Sequence, residues 1–200
     1  DLETAQVAWT QPFSGINTYL TGFAATSVAI DRQRGLAIGS VLVDADAAGN
    51  SVNILAFALD ARSGNIVWTQ TIGGGKIPVG FVAPTPVIAN NTVYFHNPIS
   101  ELSIALDTAS GAIRWQTQIE VAEGKFSWGP GVVVGNRLIQ PVGPSLYTFD
   151  SNTGALLNRT DIGGSFTYNH PTVAGNVLYI GNSWGWVSAV PLSKVLGAHR

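Results

Sequence analysis

Two phrases recur along this chain, in the same order and at nearly the same spacing, and a chain built this way must fold as repeated units. Ala58 to Trp68 reads ALDARSGNIVW, and Ala105 to Trp115 reads ALDTASGAIRW. A third copy, Thr148 to Asn158, reads TFDSNTGALLN, keeping the Asp and the Gly but not the Trp. Asp60, Asp107 and Asp150 stand at intervals of 47 and 43 residues, and Gly64, Gly111 and Gly154 keep the same intervals. Upstream of each copy lies a second shared phrase: PTPVIANNTVYFHN from Pro84, PGVVVGNRLIQPV from Pro130 and PTVAGNVLYIGN from Pro171. A weaker version, AATSVAIDRQRGLAIGS, starts at Ala24.

Each unit resolves into four short strands. In the second unit these are Thr85 to Ala89, Thr92 to Phe95, Leu102 to Asp107 and Ala112 to Gln118, separated by Asn-, Pro- and Gly-bearing turns. Apolar residues alternate or run in fours and fives, with no sustained helical period. Four strands per unit of this length are expected of a β-propeller blade rather than a helical solenoid. Composition agrees: 23 Gly and 10 Pro in 200 residues mark a chain that turns often. The D-x-x-x-G segment has a local logic. The Asp at the end of a third strand can accept backbone N–H bonds across the turn, and the Gly can take a positive φ that other residues resist. The Trp four residues beyond lies on the outermost strand, where its ring can wedge against the next blade. Asp60, Gly64, Trp68, Asp107, Gly111, Trp115, Asp150 and Gly154 are therefore expected to be structural, because a catalytic aspartate has no reason to recur once per blade.

The A-x-D-x-x-x-G-x-x-x-W phrase resembles the tryptophan-docking motif of the pyrroloquinoline-quinone (PQQ) type propellers. That superfamily includes quinoprotein alcohol dehydrogenases and BamB-like proteins of outer-membrane assembly, and its members generally close seven or eight blades. The resemblance runs from about residue 5 to residue 191 and implies an all-β propeller of four-stranded antiparallel blades. Units fall at 24–72, 84–119 and 128–162, and a fourth, 169–190, supplies three strands. Residues 5–11, with Val7-Ala8-Trp9-Thr10-Gln11 matching Ile66-Val67-Trp68-Thr69-Gln70, read as the outer strand of a preceding or closing blade. These four blade equivalents either close a small ring or form an arc of a seven- or eight-bladed one. The arc is the expectation, with partner chain or further blades against its ends.

The resemblance also raises cofactors. Quinoprotein dehydrogenases stack PQQ against a tryptophan and a disulfide of adjacent cysteines and bind Ca²⁺. This chain has no Cys, so that platform cannot come from it, and PQQ and Ca²⁺ are expected only if other blades supply the site. His96, His170 and His199 show no metal-ligand spacing. Gly73-Gly74-Gly75-Lys76 lacks the second fixed glycine, the Ser or Thr and the helix of a phosphate loop, and reads as a flexible inter-blade loop. Asp44 and Asp46 begin like a calcium loop without its later ligands and read as a lengthened hairpin. Net charge is −2 with scattered cations, which excludes a nucleic-acid surface, and no apolar run approaches the ~18 residues of a membrane span. Only 11% of residues are charged, and Cys and Met are absent, which suits an exported protein. The expected function is a non-catalytic binding or scaffold module for other proteins. The alternatives implied by the family are part of a PQQ-dependent dehydrogenase, or a cofactor-free hydrolase on the same scaffold such as tetrathionate hydrolase.

A binding surface would lie where outer strands cross to the next inner strand. Those crossings carry Phe23, Phe81, Phe126 with Trp128, and Phe166 with Tyr168. In a propeller they share one face, and Trp and Tyr are favoured interface anchors. Trp128 and Tyr168 are the leading candidates, each alternating with a second aromatic that can face inward. Trp184 and Trp186 either extend this surface or pack beneath it.

Overall fold

The computed structural model describes residues 6–15, 27–46, 51–76, 83–120, 129–166 and 169–197. The first sheet holds β1 (Ala29–Asp31), β2 (Leu36–Asp44), β3 (Ser51–Asp60) and β4 (Ile66–Lys76). The second holds β5 (Val87–Ala89), β6 (Thr92–Asn97), β7 (Leu102–Asp107) and β8 (Ile113–Gln118). The third holds β9 (Val132–Val134), β10 (Arg137–Val142), β11 (Ser145–Asp150) and β12 (Leu156–Asp161). The fourth has three strands, β13 (Thr172–Ala174), β14 (Val177–Gly181) and β15 (Val187–Pro191), followed by a short helix α1 (Leu192–Leu196). Every sheet is an antiparallel meander in chain order. The fold is an arc of propeller blades.

Successive sheets stack face to face, and their contacts make the core. Leu36, Ile38 and Leu42 of the first sheet meet Val93, Phe95, Ile104 and Leu106 of the second. Tyr94 and Ala105 on the opposite face of the second sheet meet Leu138, Tyr147 and Phe149 of the third. Ile139 and Leu146 of the third meet Leu178, Ile180 and Val190 of the fourth, with Leu192 and Val195 of α1 beneath. Second strands have neighbours on both faces, so all six residues of β6 are buried. Outer strands have cover on one side only, and in β8 the one fully buried side chain is Trp115.

The repeated turn joins each third strand to its fourth. Asp60 Oδ1 accepts the N–H groups of Arg62 and Ser63 at 3.1 and 2.7 Å. Asp107 does the same for Ala109 and Ser110, and Asp150 for Asn152 and Thr153. Gly64, Gly111 and Gly154 have φ of +76°, +72° and +74°. An indole from the preceding blade lies over each glycine. Trp68, 7% exposed, covers Gly111 and donates Nε1–H to Thr108 O at 2.9 Å. Trp115, 8% exposed, covers Gly154 and donates to Ser151 O at 3.0 Å. A Cβ on either glycine would sit within 2.7 Å of the ring, so two constraints select Gly there: the backbone angle and the indole.

The same dock is built at the N-terminal end. Trp9 lies over Gly64 and donates Nε1–H to Ala61 O at 3.1 Å, while Phe13 packs against Phe57 in a tilted pair with centroids 4.7 Å apart. Residues 6–11 thus take the place of a preceding blade's outer indole, although they form no strand ladder. At the other end the dock changes chemistry. Asn158 stands where the Trp would be and donates Nδ2–H to Lys194 O and Val195 O, both at 2.9 Å. Helix α1 replaces the Asp turn, as the sequence Pro191-Leu192-Ser193-Lys194 requires.

One reading is corrected. Gly73-Gly74-Gly75-Lys76 is not a flexible inter-blade loop but the end of β4, where Lys76, Gly75 and Gly74 pair with Ser51, Val52 and Asn53. Close packing explains the glycines: a Cβ on Gly74 would lie 2.3 Å from Val52 O, and one on Gly73 would lie 2.2 Å from the Asn97 side-chain nitrogen. Beside it, β2 and β3 run past the usual blade length up to Asp44 and from Ser51, the lengthened hairpin expected at Asp44 and Asp46.

Candidate functional site

The strand directions sort the loops into two ends. The docking turns and the first-to-second strand turns share one end. The second-to-third strand hairpins and the inter-blade crossings share the other, where a binding surface is expected.

At the docking end three arginines are held by aspartates. Arg34 pairs with Asp31 at 3.0 Å, Arg114 with Asp107 at 2.6 Å and Arg137 with Asp150 at 3.5 Å. The Arg114 hydrogen bond, with the Ser110 and Ala109 contacts, overcomes partial burial and holds the Asp107 carboxyl down at about 2. The Asp60 carboxyl is lowered mainly by the Ser63 N–H and hydroxyl. Burial raises the Asp150 carboxyl, but the N–H groups of Asn152 and Thr153 outweigh it and the net shift is downward. These carboxylates accept turn N–H groups and stay ionised near neutral pH, so they are not proton donors there.

At the crossing end, two asparagines organise the hairpins. Asn97 Oδ1 accepts Ile99 N–H and Ser100 N–H at 2.9 and 3.1 Å, and its Nδ2 donates to Ile72 O at 2.7 Å. Asn182 Oδ1 accepts Trp184 N–H and Trp186 N–H at 3.0 and 3.1 Å, and its amide lies against Gly164. The role of this pair escaped the sequence reading, which took both residues for turn formers. The signal was present: FHN and IGN close the second phrase in two of its three copies. The crossings are held from below, with Ser40 Oγ donating to Pro84 O and Gln140 Nε2 to Gly129 O.

On the Asn182 hairpin, Trp184 and Trp186 form an edge-to-face pair with ring centroids 5.6 Å apart and are 63% and 59% exposed. Both rings stand in solvent rather than packed beneath this end. Phe166, by contrast, is fully buried in the third core, so it is withdrawn from the candidate surface and is an inward-facing aromatic. Phe23, Phe81, Phe126, Trp128 and Tyr168 lie outside the described residues. Lys76 and His170 stand exposed at this end.

His96 is buried on β6 with Nδ1 unpartnered, opposite Ser103, whose hydroxyl is also unpartnered. Burial is the main cause that pushes its imidazole down to about 4, keeping it neutral near pH 7. Among the described residues no group of three or more His, Asp or Glu side chains could hold a metal ion. Among the described residues no helix is long and apolar enough to cross a membrane.

Comparisons place this geometry. A family model described as outer membrane protein assembly factor BamB matches residues 1–124 and again 101–191. The tetrathionate hydrolase of Acidithiobacillus ferrooxidans is 34% identical over 141 residues, covering 69% of this chain and 28% of that protein. The tetrathionate hydrolase of Acidianus ambivalens is 30% identical over 196 residues, covering 94% of this chain and 35% of that protein. BamB of Legionella pneumophila is 24% identical over 136 residues, covering 68% of this chain and 32% of that protein. The chain therefore spans about a third of the length of the curated relatives it matches. Among solved structures, BamB from Moraxella catarrhalis superposes with a TM-score of 0.61 at 20% identity, over 86% of this chain and 51% of that one. The computationally designed Ika4 protein superposes at 0.57 and 13% identity, over 86% of this chain and 92% of that one. With its docked indoles and four-stranded blades, this chain belongs to the PQQ-type β-propeller repeat family described by the BamB model.

Proposed function

We propose that this chain supplies an arc of blades to an exported propeller of the tetrathionate hydrolase kind, acting on a sulfur-rich dianion without a quinone cofactor. One observation carries the reading. Two tetrathionate hydrolases, from organisms of different genera, match at 34% and 30% identity, against 24% for the BamB relative, and one match extends over 94% of the chain. The low charged fraction suits export. The test is tetrathionate consumption by the purified protein that carries this chain, followed by anion chromatography. Loss of tetrathionate without added PQQ or Ca²⁺ supports the reading, and a folded protein that leaves tetrathionate intact overturns it.

A second reading, the protein-binding scaffold, has its own observation in the exposed Trp184–Trp186 pair, since such a pair on a rigid hairpin suits a protein interface. It is favoured if the folded protein is inactive and both Trp→Ala changes abolish capture of a specific partner.

A further inference from the structure

Two triplets in the chain read Asn-x-Thr with no proline between: Asn90-Asn91-Thr92 and Asn158-Arg159-Thr160. That triplet is the acceptor sequence for N-linked sugar in exported proteins. The fold treats the two asparagines in opposite ways.

Asn90 opens the two-residue turn between β5 and β6, where Ala89 pairs with Thr92. The corresponding turns of the third and fourth sheets begin with Gly135 and Gly175, at φ +59° and +57°. Asn90 takes the same left-handed conformation at φ +49°, so a side chain stands where the other two blades have none. The residue is exposed, and among the described residues its side-chain amide has no hydrogen-bond partner. Its neighbour Asn91 is engaged instead, with Oδ1 accepting Arg34 Nη1–H at 2.8 Å. One Nδ2 proton of Asn90 can therefore be replaced without breaking a contact.

Asn158 is committed. Its Nδ2 donates to Lys194 O and Val195 O at 2.9 Å each and to Thr160 Oγ1 at 3.2 Å. Gly197 lies against it, so that a Cβ there would be 3.4 Å from Asn158 Cβ. An amide carries two protons. A sugar on Nδ2 would leave one of them to serve these acceptors and would put a ring where α1 packs.

We propose that Asn90, and not Asn158, carries an N-linked glycan in the folded protein. The donor is a saccharide linked through phosphate to a polyprenyl lipid. Nδ2 of Asn90 attacks the anomeric carbon and loses one proton. The bond from that carbon to the phosphate oxygen breaks, and the lipid-linked phosphate leaves with the electron pair. Thr92 is 3% exposed and its hydroxyl accepts from Arg114 at 2.9 Å, so transfer precedes closure of the blade. Either asparagine is open to attack at that stage. A chain modified at Asn158 cannot seat α1, and the folded protein keeps its sugar at Asn90 alone. The turn lies at the docking end, so the glycan leaves the crossing end clear.

Modification of this kind rests on export of the protein, as proposed above, so location is measured in the same experiment. The protein that carries this chain is isolated folded from its source, its location is fixed by fractionation, and its peptides are mapped by mass spectrometry. A sugar-bearing peptide containing Asn90 beside an unmodified Asn158 is expected. Asn90→Gly installs the residue of the other two blades, and it should remove the sugar mass while leaving the far-ultraviolet spectrum unchanged. An exported protein with a bare Asn90 overturns the inference alone, and a protein retained inside the cell overturns export and the inference together. Sugar at Asn158 of the folded protein, or a sugar mass unchanged by Asn90→Gly, overturns the inference as well.

Discussion

The indole dock can be tested by coupling its two halves. Gly111 has φ +72°, and a Cβ there would lie 2.7 Å from the Trp68 ring. Gly111→Ala therefore has two costs: about 1–2 kcal/mol for a left-handed alanine, and displacement of the indole. Displacement breaks the 2.9 Å bond from Trp68 Nε1 to Thr108 O and reopens the inter-blade core, adding about 1–3 kcal/mol. Trp68→Ala alone removes a ring that is 7% exposed, which costs about 3–5 kcal/mol. Once the ring is gone the added methyl meets open space, and only the backbone cost remains. Urea unfolding of the two single variants and the double variant, followed by circular dichroism, measures the difference. The double variant should be more stable than the sum of the single losses by about 1–3 kcal/mol. Additivity within about 0.5 kcal/mol would refute the claim that the ring, and not the backbone angle alone, demands glycine.

Two further outcomes follow from buried polar groups. Asn97→Ala removes four side-chain hydrogen bonds and leaves Ile72 O without its 2.7 Å donor, so it should cost about 2–3 kcal/mol in urea unfolding; a loss below about 0.5 kcal/mol would show that the crossing is held by other contacts. His96 titrates at about 4 when folded and near 6.5 when unfolded, so the unfolded chain binds the proton first and stability falls as pH drops between those values, by up to about 3 kcal/mol. Below that window the loss continues toward about 2 as the Asp107 carboxylate protonates. His96→Leu should flatten the upper window and leave the lower one, and an unchanged profile would remove His96 from the account.

The blades were legible in the sequence because each local rule is repeated and carries its own physics. Asp60, Asp107 and Asp150 announce a turn that needs backbone N–H acceptors, and glycine at a constant offset announces the left-handed position that closes it. Comparing Val7-Ala8-Trp9-Thr10-Gln11 with Ile66 to Gln70 even located the indole that docks on Gly64. The triple glycine misled because composition alone cannot separate a flexible loop from a strand under a tight neighbour. What decides it is Asn97, a residue 24 positions beyond Gly73 that packs there only in the folded blade. Trp184 was ambiguous for the same reason: whether it lies beneath or upon the surface depends on how Asn182 aims the hairpin backbone.

Function was less legible because the repeat consumes the residues that usually signal chemistry. Aspartate, the commonest catalytic carboxylate pattern to look for here, is held low by turn N–H groups and arginines at the docking end. The buried His96 faces Ser103 inside the wall rather than solvent. What distinguishes this chain from other propellers therefore sits where the repeat fails. Asn158 in place of Trp, α1 in place of an Asp turn and the lengthened β2–β3 hairpin are departures that the common scaffold does not require. The first two lie together at the joint between the third and fourth blades. There Thr148, Asn158 and Thr160 all donate to the Lys194 and Val195 carbonyls, replacing one indole bond with a polar seam. Such a seam fixes the fourth blade by direction as well as by area, because hydrogen bonds weaken steeply when misaligned. The crossing-end tryptophans ride on that blade. Their placement is thus set by the joint, among the described blades, that does not follow the repeat, and this is where a specific function would be expected to leave its mark on an otherwise shared architecture.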